Sequence, residues 1–297
     1  MTKPDSPTRR ASLIARHTLA DALAALREAA AYLSTNGWEP VVEVESARLA
    51  DLDSRVATVP RERLGERVDA VIAFGGDGTL LDAASAVSHS AFDAPLLGVN
   101  LGHLGFLTDV GRSEMLSALD RLIAGRTTTE TRLLLSGRVT RQGRVHADHL
   151  ALNDIVVTRS ALSRMIEMTV DVDGQFLCHV KADGLIVSTA TGLTAYNLSV
   201  GGPIVHPSVD ALVLTPIAPH TLTHRPLVLP ATAEIHLRPI MDSHSELITT
   251  FDGQFGIPLL EGDVVRIARA PRLLRLARTS SRRYFEMLRQ KLKWGNA

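Results

Sequence analysis

Four short stretches of the chain carry residues able to do chemistry. The first is Phe74-Gly75-Gly76-Asp77-Gly78-Thr79, which follows an apolar run and opens a helix-like one. Glycine has no Cβ, so Gly75, Gly76 and Gly78 let backbone N–H groups converge. Such a nest at a helix N-terminus suits phosphate oxygens. The spacing is neither the dinucleotide fingerprint nor a Walker A loop, which would need a lysine. Asp77 sets a carboxylate inside the loop, where it can accept a proton, orient a hydroxyl or touch a metal ion. The same residues also read as a tight strand-to-helix turn with an Asp side chain capping the helix.

The second stretch is Leu152-Asn153-Asp154-Ile155. An amide beside a carboxylate offers a donor and several acceptors, enough to grip a sugar or a purine edge. It also reads as a plain turn before a strand. The third, Lys181–Pro203, runs from apolar residues into hydroxyls and glycines and contains Tyr196, which can stack or hydrogen-bond. Its small polar residues allow a flat ligand to approach the backbone, although Lys181 reads equally as a solvated surface charge. The fourth, Phe251-Asp252-Gly253-Gln254, reads on its own as a hairpin turn.

Two kinds of element must position these stretches. Up to about residue 127 strand-like and helix-like runs alternate. Ser12–Ala15, Val41–Val44, Ala70–Phe74 and Pro95–Val99 read as strands; Leu19–Leu33, Thr79–Ser88 and Ser113–Ala124 read as helices. Asn36-Gly37 ends the first helix with a residue that tolerates the left-handed conformation. Ala70–Phe74 is apolar throughout, as a strand buried on both faces must be. This rhythm predicts a parallel sheet flanked by helices.

From about residue 128 short strand-like runs follow one another. They include Leu133–Val139, Val145–Leu150, Ile155–Thr158, Ala211–Leu214, Leu227–Leu229, Ala233–Leu237, Leu247–Phe251 and Val264–Ala268. Asp173-Gly174 joins Met165–Val172 to Gln175–Val180 as a hairpin. The pattern predicts an antiparallel β-sandwich. Ser281–Trp294 reads as a helix returning to the first domain. The expected division is thus 1–127, 128–280 and 281–297.

Composition narrows the classes. The 297 residues carry 32 Lys plus Arg and 32 Asp plus Glu, so there is no basic excess of the kind nucleic-acid binding needs. Cys178 is the one cysteine, which allows neither an internal disulfide nor a multi-cysteine metal site, and it reads as a small apolar residue. No signal-peptide pattern and no apolar run of membrane-spanning length occurs, which points to the cytoplasm and to no membrane partner. The histidines form no recognisable metal-ligand spacing, so no protein-borne metal site is expected.

Taken together and in this order, the four stretches resemble the NAD kinase family. GGDGT, Gly98–Phe106 (GVNLGHLGF), the Asn153-Asp154 pair, the Asp183–Pro207 block, Thr215–His220 (TPIAPH) and DGQ follow one another over nearly the whole chain. GGDG alone also occurs in lipid kinases and phosphofructokinases; the Asp183–Pro207 block is far more specific. The resemblance implies an α/β domain, a β-sandwich domain and an active site in the cleft between them. It implies transfer of the γ-phosphoryl of ATP, or a phosphoryl of polyphosphate, to the 2′-hydroxyl of the adenosine ribose of NAD, giving NADP. It also implies Mg²⁺ carried on the nucleotide phosphates and a homo-oligomer, a dimer or a tetramer.

Residue roles carry over by the same resemblance. Asp77 matches the catalytic aspartate, and Gly75, Gly76, Gly78 and Thr79 match the phosphate loop. Phe106 resembles an aromatic lying against the adenine, and Asn153 and Asp154 the pair that holds NAD. Thr194, Ala195, Tyr196, Asn197 and Ser199 match an NAD-contacting run. Arg164, Lys181, Asp183 and Gln254 fall at further ligand positions, and a charged residue at 181 resembles the type that prefers NAD to NADH. Leu193 stands where the family has Ser or Thr, Ala190 replaces a common proline, and Asp82 takes no ligand role. A diacylglycerol-type lipid kinase and a non-catalytic dinucleotide sensor are the competing readings; the Asp183–Pro207 block argues against the first and the retained Asp77 against the second.

Overall fold

The computed structural model describes residues 8–102, 105–159, 165–221, 223–241, 246–279 and 284–294. The chain forms two compact units, Met1–Thr131 with Leu274–Ala297, and Arg132–Leu273.

The first unit alternates strand and helix: β1 (Arg10–Ala15), α1 (Ala20–Thr35), β2 (Glu39–Glu43), α2 (Val44–Leu49), β3 (Ala57–Val59), β4 (Ala70–Gly75), α3 (Asp77–His89), β5 (Leu96–Asn100), β6 (Val110–Gly111) and α4 (Met115–Ile123). The strands pair in parallel in the order β3-β2-β1-β4-β5. Every residue of β4 and β5 is buried, which is why both segments are apolar up to Asn100 at the end of β5. Leu13, Ile72, Phe74 and Leu97 pack with Leu26 and Leu33 of α1 and Leu119 of α4 into one core. Gly37, at φ +78°, follows α1 as its sequence signal predicts.

One boundary differs from expectation. Val44 does not end β2 but opens α2, because the Glu43 side chain accepts the N–H groups of Glu45 and Ser46 and caps a helix there. In a parallel sheet the loops that bind ligands leave the carboxyl ends of the strands. Gly75 at the end of β4 pairs in register with Asn100 at the end of β5, so GGDGT and the segment after Asn100 leave the sheet side by side.

The second unit is an antiparallel sandwich. Its elements are β7 (Thr128–Arg141), β8 (Arg144–Ala151), β9 (Asp154–Arg159), β10 (Ile166–Val172), β11 (Gln175–Ala182), β12 (Gly184–Thr189), α5 (Tyr196–Ser199), β13 (Ala211–Ile217), β14 (Leu227–Pro230), β15 (Ile235–Ile240), β16 (Leu247–Phe251), β17 (Phe255–Leu259) and β18 (Val264–Arg278). One sheet runs β14-β13-β12-β9-β16-β17; in the other β11, β10, β15 and β18 are neighbours and β7 pairs with β8 and β18. Their inner faces share a core that includes Ile155, Val157, Val187, Leu237, Phe251 and Val265, and half-buried Cys178 packs against it.

Asp173 (φ +51°) and Gly174 (φ +76°) make the expected two-residue hairpin turn. Strand β13 extends beyond Leu214 through Pro216, which its neighbour tolerates because β14 pairs only as far as Leu214. From Leu274 onward β18 counts with the first unit, where Leu276 pairs in parallel with Leu96. The final helix, α6 (Tyr284–Leu292), buries Met287 and Leu288; residues 281–283 of the expected helix lie outside the described residues.

Candidate active site

Asp77 is the first residue of α3, but its side chain does not cap its own helix. The N-cap, Gly76, has extended backbone and no side-chain cap is formed, so a capping role for Asp77 is ruled out. The carboxylate instead turns to the segment after β5. Oδ2 accepts the Phe106 N–H at 2.8 Å, while Oδ1 accepts the N–H groups of Leu107 (3.2 Å) and Thr108 (3.0 Å) and the Thr108 hydroxyl (2.8 Å). The Thr108 hydroxyl in turn accepts from the Asn100 side chain at 2.7 Å. Oδ1 is fully engaged, whereas Oδ2 holds a single N–H and keeps acceptor capacity for a hydroxyl.

The glycines of the loop divide into two kinds. A Cβ on Gly75 would stand 2.3 Å from Thr79 Oγ1, so Gly75 is demanded by packing. A Cβ on Gly76 or Gly78 would meet nothing within 4 Å. Neither of the two has a positive φ, so what their lack of a side chain leaves is open approach to the backbone at the N-terminus of α3. There the first N–H groups of a helix lack partners within it. Asp82, one turn further along α3, is paired with Arg61 at 2.9 Å.

Sequence reasoning missed Asn100, Gly105 and Thr108. A Cβ on Gly105 would lie 1.8 Å from Asp77 Oδ1, so this glycine exists to admit the carboxylate. The signal was present in Gly98–Phe106, but nothing in a linear pattern says that its N–H groups meet Asp77. The Phe106 ring lies in the same unit as Lys291, whose ammonium is 6.0 Å from the ring centroid.

In the second unit, Asn153 and Asp154 sit where β9 begins. Both are buried, at 7 % and 5 % exposure. Their backbone is held by a residue 98 to 100 positions away: the Asp252 carboxylate accepts the N–H groups of Leu152 (2.8 Å), Asn153 (2.7 Å) and Asp154 (3.1 Å). The Asn153 and Asp154 side chains, by contrast, form no hydrogen bond with any described residue. Burial, and then the nearby Asp252 charge, push the Asp154 carboxyl up to about 7. An amide and a carboxyl with so little exposure and no protein partner leave their donors and acceptors for a ligand.

Between β12 and α5 the chain makes a 3₁₀ turn, Gly192–Thr194. Gly192 packs its backbone on Asn153, since a Cβ there would stand 2.3 Å from the Asn153 carbonyl oxygen. Leu193 is fully buried, which accounts for an apolar residue where the family has a hydroxyl. Thr194 and Ala195 are half-buried, and Tyr196 and Ser199 are exposed. Asn197 differs from the rest of this run. Its side chain is fully buried, accepts the Thr215 hydroxyl at 2.6 Å and packs against Gly202, so its amide is used inside the protein.

The remaining expected positions already have partners or stand open. Lys181 pairs with Glu167 across the β10–β11 ladder, and Asp183 with Arg159 at 2.9 Å. Gln254 is exposed beside the β16–β17 turn. Arg164 lies outside the described residues. Among the described residues no helix is long and apolar enough to cross a membrane, and no three His, Cys, Asp or Glu side chains gather as a metal site.

Comparison with known proteins agrees over both units. The family descriptions of the ATP-NAD kinase N-terminal and C-terminal domains match residues 22–127 and 152–279. The chain is 42 % identical over 274 residues to a NAD kinase of Citrifermentans bemidjiense, covering 92 % of this chain and 94 % of that protein. It is 44 % identical over 264 residues to a NAD kinase of Geotalea daltonii, covering 89 % and 91 %. Among solved structures it is similar to yeast NADH kinase complexed with NADH, with a TM-score of 0.87 at 25 % identity, covering 99 % of this chain and 90 % of that one. It is also similar to a NAD kinase from Archaeoglobus fulgidus in complex with ATP, with a TM-score of 0.73 at 25 % identity and coverage of 96 % and 98 %. Two domain descriptions in the right order and relatives above 40 % identity over nine-tenths of the chain leave one assignment: this chain belongs to the NAD kinase family.

Proposed function

We propose that Asp77 orients the acceptor hydroxyl while Asn153 and Asp154 grip the nucleotide that carries it, in the phosphorylation of NAD to NADP that family membership assigns to this chain. The observation that carries the reading is the unpartnered Asn153–Asp154 pair, a buried amide and carboxyl presented without protein partners. An amide and a carboxylate together match the donors and acceptors of a ribose or an adenine edge. A site that must hydrogen-bond its substrate rejects analogues lacking the partner group far better than apolar contacts can.

Phosphoryl transfer passes through a loose transition state, so the protein chiefly positions groups and stabilises charge. The acceptor 2′-hydroxyl donates to Asp77 Oδ2, the oxygen with spare capacity, and the carboxylate receives its proton as the new P–O bond forms and the donor's terminal P–O bond breaks, releasing ADP or the shortened polyphosphate. The open backbone at Gly76 and Gly78 receives phosphate oxygens, with Gly75 and Thr79 giving the loop its shape. Phe106 lies against the adenine. Thr194, Ala195, Tyr196 and Ser199 line the nucleotide, and Asn197 supports that run from inside. Lys181, Asp183, Gln254 and Arg164 complete the contacts.

The divalent cation, Mg²⁺, arrives on the donor phosphates and needs few protein ligands. When bound there, the ion neutralises phosphate charge. A cytoplasmic homo-oligomer, a dimer or tetramer, completes the reading. Association between copies is supported by Phe176 and Leu177 on β11 and Leu227 and Val228 on β14, apolar and exposed on edge strands.

The test is a coupled assay. Purified protein, Mg²⁺ and NAD are given either ATP or polyphosphate, and NADP is detected by an NADP-specific dehydrogenase, with Asp77→Asn alongside. NADP from the wild type and loss of most turnover in the variant are expected, with NAD binding retained. Near-normal turnover in Asp77→Asn would remove Asp77 from the reaction.

A further inference from the structure

The β16–β17 connection has a second role beyond turning the chain. A two-residue turn with positive φ at both positions, here Asp252 (+51°) and Gly253 (+65°), is satisfied by Asn-Gly as well as by Asp-Gly. The contacts of Asp252 are satisfied only by a carboxylate. Its Oδ1 accepts from Asn153 and Asp154, and its Oδ2 accepts from Leu152. An asparagine has one acceptor oxygen, and its NH₂ would face an N–H.

The rest of the segment is held with equal completeness. The Leu152 carbonyl accepts the Thr189 hydroxyl at 2.6 Å. The Asn153 carbonyl accepts the Thr189 N–H at 2.9 Å and the Ser188 hydroxyl at 3.1 Å. The Asp154 carbonyl accepts the Asp252 N–H at 2.9 Å. All six backbone polar groups of residues 152–154 are therefore taken inside the protein. Only the Asn153 and Asp154 side chains remain for a ligand.

We propose that Asp252 is a positioning residue for the acceptor nucleotide: by gathering the three N–H groups of Leu152–Asp154 on one carboxylate, it presents the Asn153 amide and the Asp154 carboxyl to NAD. This rests on the reading of Asn153 and Asp154 as the NAD-binding pair. The same carboxylate sets the charge state of its neighbour. Burial pushes the Asp252 carboxyl up and its three N–H bonds offset this only in part; those donors nonetheless favour the charged form at Asp252, whereas the Asp154 side chain has none. Asp154, with no donor of its own, is the group that retains a proton near neutrality. The groups facing Asp154 are few. Among the described residues, the β16–β17 turn brings the Asp252 carboxylate to it and β12 brings the neutral Ser188 opposite it in register.

The experiment compares wild type, Asp252→Asn and Asp154→Ala. It measures kcat, the KM for NAD and for ATP, the thermal midpoint, and the KM for NAD from pH 5.5 to 8.5. For Asp252→Asn a rise in the NAD KM of at least about tenfold is expected, the equivalent of one lost charge-assisted hydrogen bond. The ATP KM should stay within about twofold. The pH at which the NAD KM changes should fall, because a neutral amide no longer opposes ionisation of Asp154.

An unchanged NAD KM and pH profile overturns the proposal. So does a loss shared equally by both substrates and tracking the thermal midpoint, which is what a merely structural turn would give. If Asp154→Ala leaves the NAD KM unchanged, it is the NAD-binding reading that fails instead. Should Asp252→Asn not fold, carboxyl NMR of ¹³C-aspartate wild type decides. Asp252 should remain ionised while Asp154 titrates, and protonation of Asp252 first overturns the proposal.

Discussion

Thr108 holds the Asp77 carboxylate with both its N–H and its hydroxyl, at 3.0 and 2.8 Å, across 31 residues of sequence. The hydroxyl is itself oriented by the Asn100 amide at 2.7 Å, so a chain of three polar side chains runs from the end of β5 to the start of α3. Such a chain fixes the carboxylate plane and leaves Oδ2, with one N–H partner, as the oxygen with spare acceptor capacity.

Thr108→Val should therefore keep the shape of this residue and lose the orientation it supplies. Removing the hydroxyl takes one acceptor from the buried Asn100 amide and one donor from Asp77, at a cost of about 1 kcal/mol in stability. Turnover should fall at least about tenfold, as for other losses of a hydrogen bond to a charged group. Thr108→Ser should recover most of the turnover. Steady-state kinetics and thermal melts on the two variants check this; a valine variant with normal kcat would show that Asp77 needs no such support.

Gly105 and Gly76 should respond to alanine in opposite ways. At Gly105 the added Cβ collides with Asp77 Oδ1, so the carboxylate or the loop must move, and turnover should fall by about a hundredfold, as misplaced catalytic groups do. At Gly76 the added Cβ meets only open space, and stability should change by no more than about 0.5 kcal/mol. If phosphate oxygens approach that backbone, the Gly76→Ala variant should nonetheless bind ATP more weakly. Isothermal titration with ATP, beside a melt, separates the two effects.

Asp154 makes a prediction about pH. Its carboxyl titrates near 7 in the folded chain against an ordinary value of 3.8. Between these values the folded state holds a proton that the unfolded state has lost, so stability falls as pH rises through that window. Asp154→Asn carries no such charge. It should be more stable than wild type at pH 8 by an amount of order 2–4 kcal/mol, and the gain should shrink toward pH 4. Thermal midpoints at pH 5 and pH 8 test the sign, and a larger gain at pH 5 would contradict it.

Much of the architecture was legible without coordinates. Continuous apolar runs such as Ala70–Phe74 announce strands covered on both faces, and Asp173-Gly174 announces a hairpin, because those signals are local. Gly75-Gly76-Asp77-Gly78 likewise announces a strand-to-helix junction, which the structure places between β4 and α3. Local reading erred where a side chain overrode propensity, as when Glu43 caps a helix out of Val44, a residue that favours strands.

The sequence by itself determined the two kinds of unit, the order of the motifs and the candidate carboxylates Asp77 and Asp154, because backbone preference, burial pattern and glycine placement act over a few residues. Only the tertiary structure decided what each carboxylate does. Asp77 finds its partners 29 to 31 residues away, Asp252 finds its own about 100 residues away, and Asn197 spends its amide on Thr215. The physical reason is that a hydrogen bond is settled by which elements the fold brings together. An aspartate in a GGDG loop and an aspartate in a DGQ turn look alike on paper until three N–H groups close on each of them.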